Sequence, residues 1–389
     1  MTTRSAHIFI FAGEPSGDLH GSHLVHAMKT KFPHLSIEGI AGPRMRAEGV
    51  QGILAMEDFS VMGFTDVIKS LPRLYKQFFQ VRKQILFGQP DGVILVDYPG
   101  FNLRMAKTLR KGGYQGKIIQ YISPSIWAWG PHRINEMAKT LDLLMTIYPF
   151  ETKYFSNTSL KVNYVGSPVK EQISLHKYNT QWKNILSIPS SNPLVGLFPG
   201  SRRGEIERNL PIILDAAEKM KHTHPDVAFG ISCSNDEIKT LIEKHLKTYP
   251  ELSKSIYLIP KEFNYELMRD SRCAVAKSGT VTLELAMHKC PTIAVYKVTP
   301  INRLYAKYVV KPMISHFCIV NILAGKEVFP ELIRNGLTAT NLFNLLDNLY
   351  ADDNARQVCI TACHELDKAI GDHNASHNAA SAVLELLPC

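Results

Sequence analysis

The stretch AKSGTVTLELAMH (276–288) decides how this chain is read. Cys273–Ala276 has the apolar character of a short buried strand. Ser278-Gly279-Thr280 makes a small-residue loop, and Val281–Met287 reads as the first turns of a helix. A strand that turns through glycine onto a helix start leaves backbone N–H groups without intrahelical partners. With the positive end of the helix dipole, those donors suit a phosphate or diphosphate. Glu284 follows one turn later, where a carboxylate can hold a ribose diol beside that diphosphate. An ordinary strand-to-helix connection with a solvated Glu fits the same residues, so the remainder of the chain must decide.

At 389 residues the sequence is long for one domain, and two are expected. A hydrophobic fraction of 45% with 20% charged residues suits a water-exposed α/β protein with a large core. The formal charge of +9 favours anionic partners, whether nucleotide sugars, phospholipid surfaces or nucleic acid, and does not choose among them. Seven cysteines without a CxxC pair predict a reducing compartment and no metal site; Cys359 and Cys363, at helical spacing, read as packing residues. No basic-then-apolar leader precedes the first strand, and no run approaches the ~18 apolar residues a membrane span needs. A cytoplasmic protein is expected.

From the N-terminus, His7–Ala12 reads as a buried strand followed by GEPSGDLHG (13–21), whose glycines suit the tight first βα loop of a nucleotide-binding fold. Neither GxGxxG nor GxxxxGK[ST] occurs there. A helix is expected from Asp18 to about Lys31. Val61–Phe87 carries a rich apolar face with Lys69, Arg73, Lys76, Arg82 and Lys83, and Pro72 after Ser70 predicts two helices meeting there. Aromatic rings beside unopposed basic residues suit an anionic membrane surface; a core-packing helix with a solvated basic face suits them equally. Asp91–Val96 is an apolar strand that ends at Asp97, in the position that faces the ligand crevice of an open α/β sheet. Asp97 is therefore a candidate general base, or merely the cap of a helix beginning near Asn102. The loop SPSIWAWG (123–130) walls a sugar or acyl pocket, or packs on its own domain.

Gly166–Val169 and the polar run Tyr178–Asn192 look like the passage between domains, after which strand–helix alternation restarts. The reading gives domains at 1–170 and 171–345 and a helical C-terminal region at 346–389. Leu194–Phe198 leads into PGSRRGE (199–205), a second glycine-cornered helix start with two guanidinium groups suited to phosphate oxygens. Two Rossmann-like, doubly wound parallel-sheet domains of class α/β follow, with C-terminal helices. Such a pair, with phosphate-binding loops in the second half, suggests a glycosyltransferase whose chemistry lies in the cleft. The donor would lie on the C-terminal half and the acceptor on the N-terminal half. No DxD motif is positioned to hold a metal. Helix N-termini and Arg202 or Arg203 would stabilise the leaving diphosphate, and Asp97 would deprotonate the acceptor hydroxyl, inverting the anomeric carbon.

Five motifs in this order, AGEPSGDLHG (12–21), SPSIWAWG (123–130), LFPGSRRGEIE (197–207), SGTVTLELA (278–286) and NILAGKEVFPEL (321–332), closely resemble the lipid-A-disaccharide synthase family, glycosyltransferase family 19. The resemblance spans nearly the whole chain. It implies the GT-B fold and transfer of 2,3-diacylglucosamine from UDP-2,3-diacylglucosamine to 2,3-diacylglucosamine 1-phosphate (lipid X), giving the β-1,6 lipid A disaccharide and UDP. It also implies no cofactor, no metal and no nucleic acid, and a homodimer exchanged through its C-terminus on the inner face of the cytoplasmic membrane. By the same resemblance Asp97 falls on an essential Asp, and Glu14 and Ser16 fall near the reaction centre. Arg202, Ser278, Gly279, Thr280, Glu284 and Asn321 fall on positions associated with UDP binding. Pro15 stands where relatives commonly have Ala. Arg203 stands where they often have a small residue, which favours Arg202 as the diphosphate ligand. A UDP-sugar 2-epimerase of similar architecture and a membrane-associated nucleotide-binding protein without turnover remain the alternatives.

Overall fold

The computed structural model describes residues 6–59, 64–189, 191–297, 315–333, 336–371 and 374–387, the side chains of 64–71 and 129 excepted. They divide into two units, Met1–Pro168 with Asp372–Cys389, and Val169–Gly371.

The first unit is a parallel sheet of β1 (His7–Ala12), β2 (Ser36–Ala41), β3 (Gln51–Ala55), β4 (Gly92–Val96), β5 (Lys117–Tyr121), β6 (Leu143–Thr146) and β7 (Lys161–Tyr164). Its order is β3-β2-β1-β4-β5-β6-β7. Runs such as FIF in β1 and VILV in β4 are buried on both faces because helices cover both sides of the sheet. The strand order reverses between β1 and β4, and the Ala12–Val96 register brings the loops after both strands side by side. In open α/β sheets that reversal is where ligands bind.

The second unit repeats the scheme with β8 (Leu194–Phe198), β9 (Ala228–Cys233), β10 (Ile256–Pro260), β11 (Cys273–Lys277), β12 (Thr292–Tyr296) and β13 (Glu331–Ile333). The order is β10-β9-β8-β11-β12-β13, with the reversal between β8 and β11. The Phe198–Ala276 register sets the PGSRRGE loop beside the Ser278 loop.

Several expectations need correction. One helix, Phe64–Gly88, runs through Pro72 where two were expected. Proline removes one backbone donor, but downstream Val81 and Ile85 are buried in the core and Phe78 packs beside them, which holds the helix together. Val61 and Met62 lie outside the described residues. The helix after Asp97 starts at Pro99, and the first helix starts at Pro15, because proline's fixed φ suits the first helical turn. The polar run from Tyr178 is no linker. Trp182 is buried and donates its indole N–H to Asp270 at 2.7 Å, inside the second unit. The C-terminal region divides. Helices Ala339–Ala351 and Asp353–Ile370 belong to the second unit, whereas Ala375–Leu384 joins the core of the first through Ala379, Ala380 and Val383. A helix of small residues can approach its neighbour closely, and Asn378 donates to the Val165 carbonyl at 3.1 Å.

Gly39, where the β2–β3 register shifts, has φ +151°, and a Cβ there would lie 1.9 Å from the Ile10 carbonyl oxygen. Gly39→Ala is expected to destabilise the first unit by about 3 kcal/mol or more, measured by denaturant unfolding.

Candidate functional site

The crevice of the first unit is built at the β1/β4 reversal. β1 delivers Gly13 and Glu14, and Glu14 is the residue on which the helix Pro15–Lys31 begins. Gly13 must lack a side chain, since a Cβ would meet the Tyr98 ring at 2.9 Å. Ser16 sits exposed in the first turn of the helix. Asp18 is structural: its carboxylate accepts from the backbone N–H of Arg44 at 3.0 Å and of Met45 at 3.1 Å, capping the helix Pro43–Ala47. β4 ends at Asp97, which with Tyr98 adopts left-handed backbone, φ 49° and 42°. Non-glycine residues at positive φ are strained, and such strain clusters where a side chain must be presented in one way. The Asp97 carboxyl is pushed up to about 6, chiefly by burial and then by the Glu14 carboxylate, against a lowering backbone hydrogen bond at Tyr98. Asp97 can hence take a proton near neutral pH, as a general base requires.

The loops after β5 and β6 add a second acid. Glu151 is buried, accepts from the Trp127 indole N–H at 3.2 Å, and accepts from the backbone N–H groups of Ile147 at 3.3 Å and Tyr148 at 3.1 Å. Burial pushes it to about 7 against those bonds. Trp127, in the SPSIWAWG loop, lies edge-on to Phe150 at 5.2 Å, so this loop is clamped by an acid the sequence reading did not single out.

In the second unit, both expected phosphate-type loops sit at the β8/β11 reversal. The helix Thr280–Met287 starts after Gly279, and the helix Arg203–Thr223 starts after Arg202, whose side chain is exposed. Glu205 links the two openings. Its carboxylate accepts from Ser201 N–H at 3.1 Å and pairs with Lys277 at 3.2 Å. Glu205 and Lys277 both lie inside sequence motifs, PGSRRGE and AKSGTVTLELAMH, but the sequence reading gives neither a role there. The Ser278 hydroxyl donates to the Phe317 carbonyl at 3.0 Å. Glu284 is pushed up to about 6 by burial, opposed by the Tyr265 hydroxyl, which donates to it at 3.4 Å. Behind it, His288 Nδ1 meets the Glu284 carbonyl at 2.7 Å and Nε2 meets the Tyr178 hydroxyl at 2.9 Å. A carbonyl only accepts, so Nδ1 carries the proton and Tyr178 donates to Nε2; burial lowers the imidazole's basicity and keeps it neutral.

The side chain of Asn321 is engaged within the second unit. It is fully buried, its amide donates to the Phe329 carbonyl at 2.7 Å and Glu331 at 2.8 Å, and its oxygen accepts from Val328 and Phe329 N–H at 2.8 and 2.9 Å. All four of its hydrogen-bonding positions are taken, so it braces the 317–331 segment that also receives Ser278. Among the described residues, no cluster of three or more His, Cys, Asp or Glu is placed to hold a metal, and no helix is long and apolar enough to cross a membrane.

Two parallel-sheet units with loop crevices at their strand-order reversals make a fold of the GT-B type. Solved structures share it. UDP-GlcNAc 2-epimerase from Neisseria meningitidis bound to UDP-GlcNAc matches with TM-score 0.61 and 11% identity, covering 98% of each chain. Trehalose-6-phosphate synthase matches with TM-score 0.59 and 11% identity, over 98% of this chain and 99% of that one. The sequence goes further. A model of the lipid-A-disaccharide synthetase family matches residues 8–384, and the chain belongs to that family. The lipid-A-disaccharide synthase of Geobacter metallireducens is 32% identical over 386 residues, 99% of this chain and 98% of that protein. That of Chlamydia pneumoniae is 43% identical over 329 residues, 84% of this chain and 54% of that protein; the chain spans about half the length of this relative.

The raised pKa of Asp97 has a stability consequence. The folded state holds this proton more tightly than the unfolded chain, so stability falls as pH rises from about 4 through about 6, and the cost is complete above that. Asp97→Asn is expected to stabilise the first unit by about 2–3 kcal/mol at pH 8 and by almost nothing at pH 4, compared by denaturant unfolding at both values.

Proposed function

We propose that the protein is an inverting glycosyltransferase that joins UDP-2,3-diacylglucosamine to 2,3-diacylglucosamine 1-phosphate, releasing UDP. The observation that carries this reading is the division of labour between the two reversals. One presents a buried, left-handed Asp97 with its acidity moved toward neutrality. The other presents two glycine-cornered helix openings tied by Glu205 and Lys277, with Arg202 exposed beside them and Glu284 one turn in. Asp97 would remove the proton from the acceptor hydroxyl as the sugar carbon is attacked. Backbone N–H groups at Gly279–Thr280 and the Arg202 guanidinium would take up the charge developing on the departing diphosphate, and Glu284 would accept from the ribose hydroxyls. Membership of the family supports the choice of a lipid-linked sugar over other nucleotide sugars. In the test, purified protein receives the donor with or without the acceptor. UDP release that depends on the acceptor supports the transferase, an altered sugar without a new bond would show an epimerase, and binding without turnover a sensor. Asp97→Asn is expected to lose about 10²–10⁴-fold in kcat while UDP binding is kept. A chelator is expected to leave the rate unchanged.

Both substrates are amphiphiles, and we infer that the helix Phe64–Gly88 meets an anionic bilayer. Phe78 packs inward on Phe101 at 5.1 Å, whereas Tyr75 and Phe79 are 67% and 43% exposed and the basic residues Arg73, Lys76 and Lys83 are exposed too. Co-sedimentation with vesicles containing acidic lipid is expected to fall at least several-fold in a Tyr75/Phe79→Ser variant. Equal binding would dismiss the contact. A homodimer exchanged through its C-terminus belongs to the same reading, since helix Ala375–Leu384 packs into the core of the first unit although it follows the second in the chain.

A further inference from the structure

Gln120 is a polar residue in the middle of a buried strand. Its neighbours in β5 are Ile118, Ile119 and Tyr121, all buried, and Gln120 itself is 0% exposed. An amide in such a place is costly unless its hydrogens are used. Its Nε2 donates to the carbonyl of Asp97 at 3.0 Å and to that of Ile122 at 3.0 Å, with the Tyr121 carbonyl at 3.3 Å. The surrounding acceptors are all carbonyls, so only the nitrogen can face them, and the orientation of the amide is fixed by the network.

The two carbonyls it holds belong to strained backbone. Asp97 and Tyr98 at the end of β4 have φ 49° and 42°, and Ile122 at the end of β5 has φ 70°. Ile122 is β-branched, for which the left-handed region is a marked outlier. Such residues persist only when their surroundings over-determine them. Here the over-determination is visible. Asp97 N–H donates to the Tyr121 carbonyl at 2.8 Å, Ile122 N–H donates to Met145 at 3.1 Å, and the Asn102 side-chain amide joins Gln120 on the Asp97 carbonyl. One rigid side chain, projecting from the strand paired with β4 through Leu95–Gln120 and Val96–Tyr121, thus grips the left-handed ends of two adjacent strands.

We propose that Gln120 is a positioning residue for transfer: it holds the turn that presents the Asp97 carboxyl, and couples that turn to the start of the SPSIWAWG loop. The inference rests on reading Asp97 as the base. An apolar side chain of the same length would remove this donor from both carbonyls, leaving the Asp97 carbonyl with the Asn102 amide alone, and the turn at Asp97 would relax toward extended backbone and toward water. The base would then be misplaced, and its acidity would return toward that of an ordinary carboxyl. Substrate grip in the second unit would be untouched.

The test uses the full-length protein with Gln120→Met, which keeps the length but has no donor, and Gln120→Asn, one methylene shorter. Asn keeps an amide that no longer reaches the Asp97 carbonyl, so it separates reach from polarity. Expected for both is a fall in kcat of about 10–100-fold per folded molecule, with the donor KM and UDP affinity within about twofold. The acid limb of the kcat–pH profile is expected to move to lower pH. A role confined to packing would lower the unfolding midpoint and leave kcat per folded molecule and the acid limb where they are; that result overturns the proposal. If Gln120→Met does not fold, Gln120→Asn alone decides. Asp97→Asn measured alongside separates the two readings. An active Asp97→Asn removes the base assignment and this inference with it, whereas an inert Asp97→Asn beside unchanged Gln120 variants removes this inference alone.

Discussion

Each unit of the molecule depends on one constraint, the reversal of strand order in a parallel sheet. Where neighbouring strands send their following helices to opposite faces, the loops diverge and leave a crevice that no side chain of the sheet can fill. In the first unit this happens between β1 and β4, and in the second between β8 and β11. The same four strands carry the four motifs with chemical character: GEPSGD after β1, DYPG after β4, PGSRRGE after β8 and SGT after β11. Topology decides where the reactive residues gather, and local sequence decides what each does there.

The two crevices then diverge in their electrostatics. The first collects acids in poorly hydrated surroundings: Asp97 beside Glu14, and Glu151 under the Trp127 loop, both raised by burial. The second collects two helix openings and the exposed Arg202, with Glu205, in the first turn of one helix, paired with Lys277 and joining the two helix starts. In the proposed reaction the two are complementary, since such a displacement deprotonates one partner and discharges a diphosphate from the other.

Much of this was legible in the amino-acid order. Runs such as VILV and GISC announce buried strands, glycine-cornered loops announce helix openings, and Asp97 stands at the end of a strand in plain view. What escaped depends on contacts between distant segments. The three-residue strand Glu331–Ile333 is too short to show a period, and pairs only because β12 offers an edge. Tyr178 and Trp182 looked like linker because their partners, His288 and Asp270, lie roughly a hundred residues away. Pro72 looked like a break because propensity is local, whereas the packing of Val81 and Ile85 that sustains the helix is not. The four internal hydrogen bonds of Asn321 are contacts that no spacing rule discloses.

The return of Ala375–Leu384 to the first unit has a bearing on biosynthesis. The helix Pro15–Lys31, against which this helix packs, precedes it in the chain by the whole of the second unit. Its partner is translated only after the whole of Val169–Gly371. Throughout that interval the nascent first unit carries an uncovered apolar strip, a natural target for a ribosome-associated chaperone and the step at which stalled or prematurely terminated chains would aggregate.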